Sequence, residues 1–233
     1  MVRVSLWFSM PRRGGPLAVF ASIVLVLAFA RPAAADVKTE ELVEESRFTV
    51  ERLLTDPDRP EIRPVVEKAR GVLIIPEIIK GALIFGAEGG SGVLLVRGSD
   101  GTWSSPAFYT LAAASFGLQA GGQVSETIFT LMNDGAINAF MSDEFKLGAD
   151  ASVAVGPLGA GIEASTTTHF DKDIYAFSRA SGLFGGGSLE GAKIITRQDL
   201  NDAYYGTVTT PREIVLERKY FNRGADALRK ALP

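Results

Sequence analysis

The residues that could carry out chemistry are few and scattered. The one histidine, His169, lies in the polar stretch Thr166–Asp173. Nucleophilic hydrolysis needs a nucleophile, a base and a group that orients the base. Ser91 and Ser188 stand among glycines, but neither Gly90-Ser91-Gly92 nor Gly187-Ser188-Leu189 has the spacing of a nucleophile elbow. A Ser91–His169 pair is the only hydrolytic constellation the chain offers, and a solvated loop is the simpler account of His169. Asp143-Glu144 and Asp171-Lys172-Asp173 are two-acid fragments without the rest of a calcium loop. With no cysteine, thiolate chemistry and disulfides are excluded. Gly156–Gly161 lacks the third glycine of a dinucleotide loop, and no Gly-Lys-Ser/Thr follows any glycine run. The sequence therefore predicts no catalytic group, no metal site and no cofactor. It points to binding.

The elements that would position a binding site centre on Gly71–Thr196, which holds 21 of the 25 glycines. Short apolar or alternating runs are separated there by glycine-centred turns: Val72–Ile75, Ala82–Glu88, Val93–Arg97, Phe108–Ala114, Val124–Met132, Ala151–Val155, Gly159–Ser165, Ile174–Arg179 and Gly191–Thr196. Period two with frequent glycine predicts strands joined as hairpins. Pro76 is expected to end the first strand. Gly89-Gly90-Ser91-Gly92 is expected to be a hairpin turn, and positive φ is expected among Gly90, Gly92, Gly122 and Gly186. Asp36–Leu54 has Leu42, Val43, Val50, Leu53 and Leu54 at helical spacing, with an acid-rich opposite face. A short helix is predicted over Pro64–Ala69 and another over Gly135–Met141, capped by Asn133 or Asp134. Asp199–Tyr205, a helix opened by the Thr210-Pro211-Arg212-Glu213 capping box and running to about Arg218, and Ala225–Ala231 complete the set. The fold class is α+β: an antiparallel β core, a sandwich or a partly closed barrel, with N-terminal and C-terminal helices.

Residues 1–35 read as a secretory signal peptide. Arg3, Arg12 and Arg13 precede the apolar run Leu17–Ala30, and Ala33-Ala34-Ala35 offers small residues for cleavage before Asp36. The run is short for a membrane span. Residues 36–233 then form a single exported domain, periplasmic or bound to the cell envelope. Cleavage leaves 20 basic against 27 acidic residues, a net of −7. Such a chain is no general nucleic-acid binder, and bulk charge does not draw it to anionic membrane.

Several ordered motifs carry a family resemblance. Lys68-Ala69-Arg70-Gly71-Val72-Leu73-Ile74-Ile75-Pro76, Gly86–Gly92, Trp103-Ser104-Ser105-Pro106-Ala107-Phe108, Gly148, Gly156-Pro157, Tyr175-Ala176-Phe177-Ser178 and Gly182-Leu183-Phe184-Gly185-Gly186 resemble the SYLF domain over roughly residues 40–206. That family includes eukaryotic endocytic and actin-patch adaptors and many bacterial exported proteins. The resemblance implies a non-enzymatic domain that binds phospholipid or a membrane surface, with Lys68, Arg70 and Lys80 standing where eukaryotic members carry basic lipid-binding residues. An exported chain would meet neither phosphoinositides nor actin, so membrane association is carried over and the headgroup is not. The expected mechanism is phosphate contact from Lys68, Arg70 and Lys80 with apolar contact from an exposed edge or helix. The alternatives are an integral outer-membrane β-barrel, against which the short expected strands and helical C-terminus count, and a structural envelope protein with no ligand.

Overall fold

A computed structural model describes residues 33–82, 85–116, 121–155, 172–182 and 191–233. Two helices, α1 (Ala33–Leu54) and α2 (Ile62–Lys68), precede four long strands: β1 (Gly71–Ala82), β2 (Phe85–Val96), β3 (Ala107–Phe116) and β4 (Gly121–Leu131). Then come α3 (Asp134–Ala139), β5 (Glu144–Lys146), β6 (Val153–Val155), β7 (Ile174–Gly182) and β8 (Lys193–Thr196). Helices α4 (Gln198–Tyr205), α5 (Pro211–Val215) and α6 (Asp226–Ala231) end the chain.

The eight strands among the described residues form one sheet, in the order β5-β8-β3-β2-β1-β4-β7-β6, antiparallel except for the β6–β7 pair. A flat sheet of this order would set its edge strands about 33 Å apart, at ~4.8 Å per pair. The chain from Lys146 to Val153 can span only about 25 Å. The sheet must therefore curl, and the segment between its edges ties them. The Leu147 amide donates to the Ala192 carbonyl on one side, and the Ile174 amide donates to the Ser152 carbonyl on the other. The result is a single curled, partly closed barrel; the two-sheet sandwich is not formed.

Period-two alternation gives this sheet two cores. The inner face packs Leu73, Ile75, Leu94, Tyr109, Phe129 and Ile174, and its closed end is plugged by α3, Phe140 and α5. The outer face presents Val72, Ile74, Val93, Leu95, Phe108 and Ile128 to α1, α2 and the C-terminal helices. Central strands covered on both faces read as continuous apolar runs. Val72 to Ile75 are accordingly all fully buried.

Two expectations about β1 and β2 are corrected. Pro76 does not end β1. The register shifts between Ile74 and Ile79 on the β2 side and between Ile75 and Ile78 on the β4 side. A bulge leaves a residue unpaired, so a proline without an N–H is tolerated there. Nor is Gly89–Gly92 a turn: β2 runs straight through it. Gly90 and Gly92 are needed for close approach. A Cβ at Gly90 would stand 2.1 Å from the Glu77 carbonyl oxygen, and one at Gly92 would stand 2.2 Å from that of Ile74. Among the described residues, the glycines with positive φ are Gly101, Gly148, Gly191 and Gly206. Gly186 lies outside the described residues, as does the expected strand Gly159–Ser165.

The helices follow the sequence more closely. Asn133 caps α3 by accepting from the Ala136 amide, Thr210 and Glu213 form the capping box of α5, and Gly206 ends α4 in the left-handed region. Helix α5 stops at Val215, short of the expected Arg218, whose φ is +53°. The Arg218 guanidinium donates to the Thr102 carbonyl and Oγ1, so it pins the Gly98–Thr102 turn. Helix α1 buries Val43, Val50 and Leu53 as expected, together with Thr39, Ser46 and Thr49.

Candidate functional site

The bulge at Pro76 divides the sheet into a half covered on both faces and a half that the described helices leave bare. Beyond it, Lys80 follows Ile78 on the inner face by period two. Its ammonium is 3.3 Å from a Glu88 carboxylate oxygen on the directly opposite residue of β2, and both side chains are about one-eighth exposed. Gln123, Ser125 and the hydrogen-bonded Thr127–Ser178 hydroxyl pair share this face. The interior is thus polar near the open ends of the strands and apolar below.

This placement separates the three expected lipid-contact cations. Lys68 ends α2 and is exposed; Arg70 immediately precedes β1 and pairs with Asp134 at 2.8 Å. Lys80 lies ten residues further along, on the order of 30 Å away at ~3.3 Å per residue. Lys68 and Arg70 share one end of the sheet, and Lys80 faces the interior at the other. The three do not form one patch. Alternation from Ile78 was the signal for the inward Lys80, and it was lost by ending the strand at Pro76.

The outer face beyond the bulge shows what sequence reasoning missed. One cross-strand row runs Lys146, Lys193, Ala112, Gly89, Ile79, Val124, Ser181, each directly opposite the next. A second row, one step nearer the strand ends, runs Ala114, Ala87, Gly81, Gly122. Neither row holds an acid. Ile79 is 57% exposed and Val124 46%, although both sit in the middle of a sheet. On β4 the next outward residue is Glu126, which accepts from Arg52 Nε at 2.8 Å and from Thr49 Oγ1. That contact marks where α1 crosses the sheet and where its cover stops. Phe48, 43% exposed, stands one helical turn before Arg52 on the same side of α1.

Several other polar groups among the described residues are held by burial and hydrogen bonds. Burial pushes the Tyr109, Tyr204 and Tyr205 phenols well above their usual range, and Tyr109 donates to the Phe140 carbonyl. None can exchange a proton near neutral pH. The Ser91 hydroxyl shares a hydrogen bond with Thr110 and accepts a long one from Arg197; His169 lies outside the described residues. Among the described residues, no group of three His, Asp or Glu side chains is placed to hold a metal ion. No described helix is long and apolar enough to cross a membrane, which says nothing of strands.

The fold is thus a curled, mostly antiparallel sheet with a helical outer layer and a bare apolar strip where the described layer stops. Residues 112–233 match the Ysc84 family, described as "Las17-binding protein actin regulator", and the chain belongs to that family. The SYLF resemblance read from its motifs is the same relationship. The chain is 34% identical to Protein YSC84 of Saccharomyces cerevisiae over 171 residues, 72% of this chain and 36% of that protein. It is 35% identical to the LAS seventeen-binding protein 3 of the same yeast over 157 residues, 66% of this chain and 34% of that protein. It is also 35% identical to the human SH3 domain-containing YSC84-like protein 1 over 150 residues, 64% and 44% of the two chains. The matched region thus spans between a third and a half of these relatives' lengths. The family description is that of a regulator and names no enzymatic activity.

Proposed function

We propose that this protein is an exported, non-enzymatic domain of the periplasm or cell envelope that associates with phospholipid membrane through the bare outer strip of its sheet. The observation that carries the reading is the exposure of Ile79 and Val124 side by side in an acid-free stretch. The described chain elsewhere covers its outer face with helices. Large apolar residues directly opposite each other and open to water mark a surface that meets something apolar. The export signal read from residues 1–35 supplies the compartment. The family description names Las17 and actin; an exported chain meets neither, and membrane is the apolar partner its compartment offers.

The integral-barrel alternative loses one argument and gains a stronger objection. Strands β1 to β4 are 10 to 12 residues long, enough to span. Below the bulge, however, their outer faces are covered by helices, so lipid cannot surround them along their whole length.

The test is flotation of the purified chain with phosphatidylcholine vesicles, beside the double variant Ile79→Asn, Val124→Asn. Half-exposed side chains of this size are worth about 1 kcal/mol each on full burial. The variant is expected to bind at least tenfold more weakly with an unchanged melting temperature. A wild-type chain that stays unbound to every vesicle sinks the reading. Mass spectrometry of the exported chain is expected to place its N-terminus at or near Asp36.

A further inference from the structure

The inner face of the sheet changes character along its strands. At the closed end its residues are large and apolar, Leu73, Leu94 and Phe129 among them. Towards the open end one inward row runs Ala113, Glu88, Lys80, Gln123, each directly opposite the next. Ser125 and Ala180 are opposite each other one row below. An eight-stranded barrel has an interior that its own side chains just fill or that holds one small ligand. Here Ala113, Ser125 and Ala180 are small, and water reaches the space they leave. Ala180 is exposed although it faces inward, and Lys80, Glu88, Gln123 and Ser125 are only partly buried. The Lys80–Glu88 contact, at 3.3 Å, is a weak structural device, because desolvation offsets much of the attraction in such a pair. Among the described strand residues, these two carry the charges of the inner face, and together they are neutral. A charged ligand would have to break the pair. Hydroxyl groups would not, since each can donate to the carboxylate and accept from the ammonium, and can do the same with the Gln123 amide and the Ser125 hydroxyl.

We propose that the open, polar end of the sheet's interior binds a neutral polyhydroxyl compound, a monosaccharide or polyol. This site is on the inner face and does not depend on the membrane contact of the outer strip. It gives the inward Lys80 a role that a surface phosphate contact cannot, because the ammonium faces the interior beside Glu88. The rival account is register. Opposite charges directly across β1 and β2 help to hold the two strands in place beyond the bulge, where their pairing has shifted. Register alone, however, asks nothing of Gln123 and Ser125 on β4, and nothing of the space beside Ala113 and Ala180.

The experiment titrates the isotope-labelled purified chain with D-glucose and follows its backbone amide resonances. D-glucosamine and D-glucuronate serve as charged counterparts. Melting temperature is no guide to binding here, because sugars stabilise folded proteins by exclusion from their surface. Glucose is expected to shift the amides of Lys80, Glu88, Gln123 and Ser125 saturably and to leave those of Val72 and Ile74 in place. Both charged sugars are expected to bind more weakly. Lys80→Met, Glu88→Leu is expected to lose about tenfold or more in glucose affinity, since it removes hydrogen bonds to charged groups. Ala180→Phe fills the space without altering the pair and is expected to lose as much; it carries the test if the pair variant fails to fold. The absence of a saturable shift, or shifts spread evenly over both faces, overturns the site. Tighter binding of either charged sugar overturns the ligand class. Unchanged glucose affinity in Ala180→Phe overturns the placement, and unchanged affinity in a folded but less stable pair variant assigns Lys80 and Glu88 to register.

Discussion

The two halves of β1 each carry a pair of adjacent isoleucines, and the pairs meet different fates. Val72-Leu73-Ile74-Ile75 is buried on both faces. Ile78-Ile79-Lys80-Gly81 is buried at Ile78, exposed at Ile79 and ion-paired at Lys80. Hydrophobicity alone does not distinguish Ile74 from Ile79. What differs is the cover: α1 crosses the sheet below the bulge and leaves the residues beyond it open. An isoleucine is therefore core or contact surface according to which layer lies over it, and the bulge is where the layer ends.

The largest expected effect breaks the covered half. Leu73→Ala should cost about 3 kcal/mol through lost burial and the residual cavity. That is a fall of roughly 6–12 °C in melting temperature for a chain of this size. Ile79→Ala should stay within about 0.5 kcal/mol. Equal losses at both would mean that Ile79 is covered in solution. The next tests the bulge. Gly90→Ala forces a methyl onto the Glu77 carbonyl and should cost about 2 kcal/mol. Gly122→Ala, which meets nothing within 4 Å, should be close to neutral in the same denaturant titration. A neutral Gly90→Ala would show that β1 and β2 are less closely apposed there.

The smallest effect concerns pH and the closed end. Asp173 accepts from the Ser152 amide and hydroxyl and from the Asn133 side chain. These bonds, Ser152 foremost, hold its carboxyl below the usual aspartate range. A depressed carboxylate contributes stability that is fully present above about pH 4 and lost as the pH falls below it. Asp173 is partly open to solvent, so the contribution is on the order of 1 kcal/mol. Asp173→Asn should lower stability at pH 7 and flatten its decline between pH 4 and pH 2. An unchanged acid limb in the variant would assign that limb to other carboxylates.

Much of the fold was legible because its signals are local. Period two along β3 and β7, the Thr210 capping box, the Asn133 cap and Gly206 after α4 each depend on a few consecutive residues. The α+β class followed from them. The glycines misled because two different demands look alike in sequence. Gly206 needs positive φ, whereas Gly90 and Gly92 need only the absence of a Cβ. That need arises from Ile74 and Glu77, more than a dozen residues earlier in the chain. The candidate site was less legible. Arg70 and Lys80 are close in sequence, yet a strand separates them and alternation turns Lys80 inward. Lys146 and Lys193 are 47 positions apart, and only strand pairing makes them neighbours.

By itself the sequence determined the strand-rich α+β class, the helix caps and the family, since each is written in short motifs or in composition. Only the tertiary structure decided that one sheet curls into a partly closed barrel and that Pro76 bends a strand without ending it. It also decided which apolar residues stay bare. Register, curl and helical cover depend on contacts between residues far apart in the chain, and no local pattern encodes which of two equally apolar faces another layer will reach.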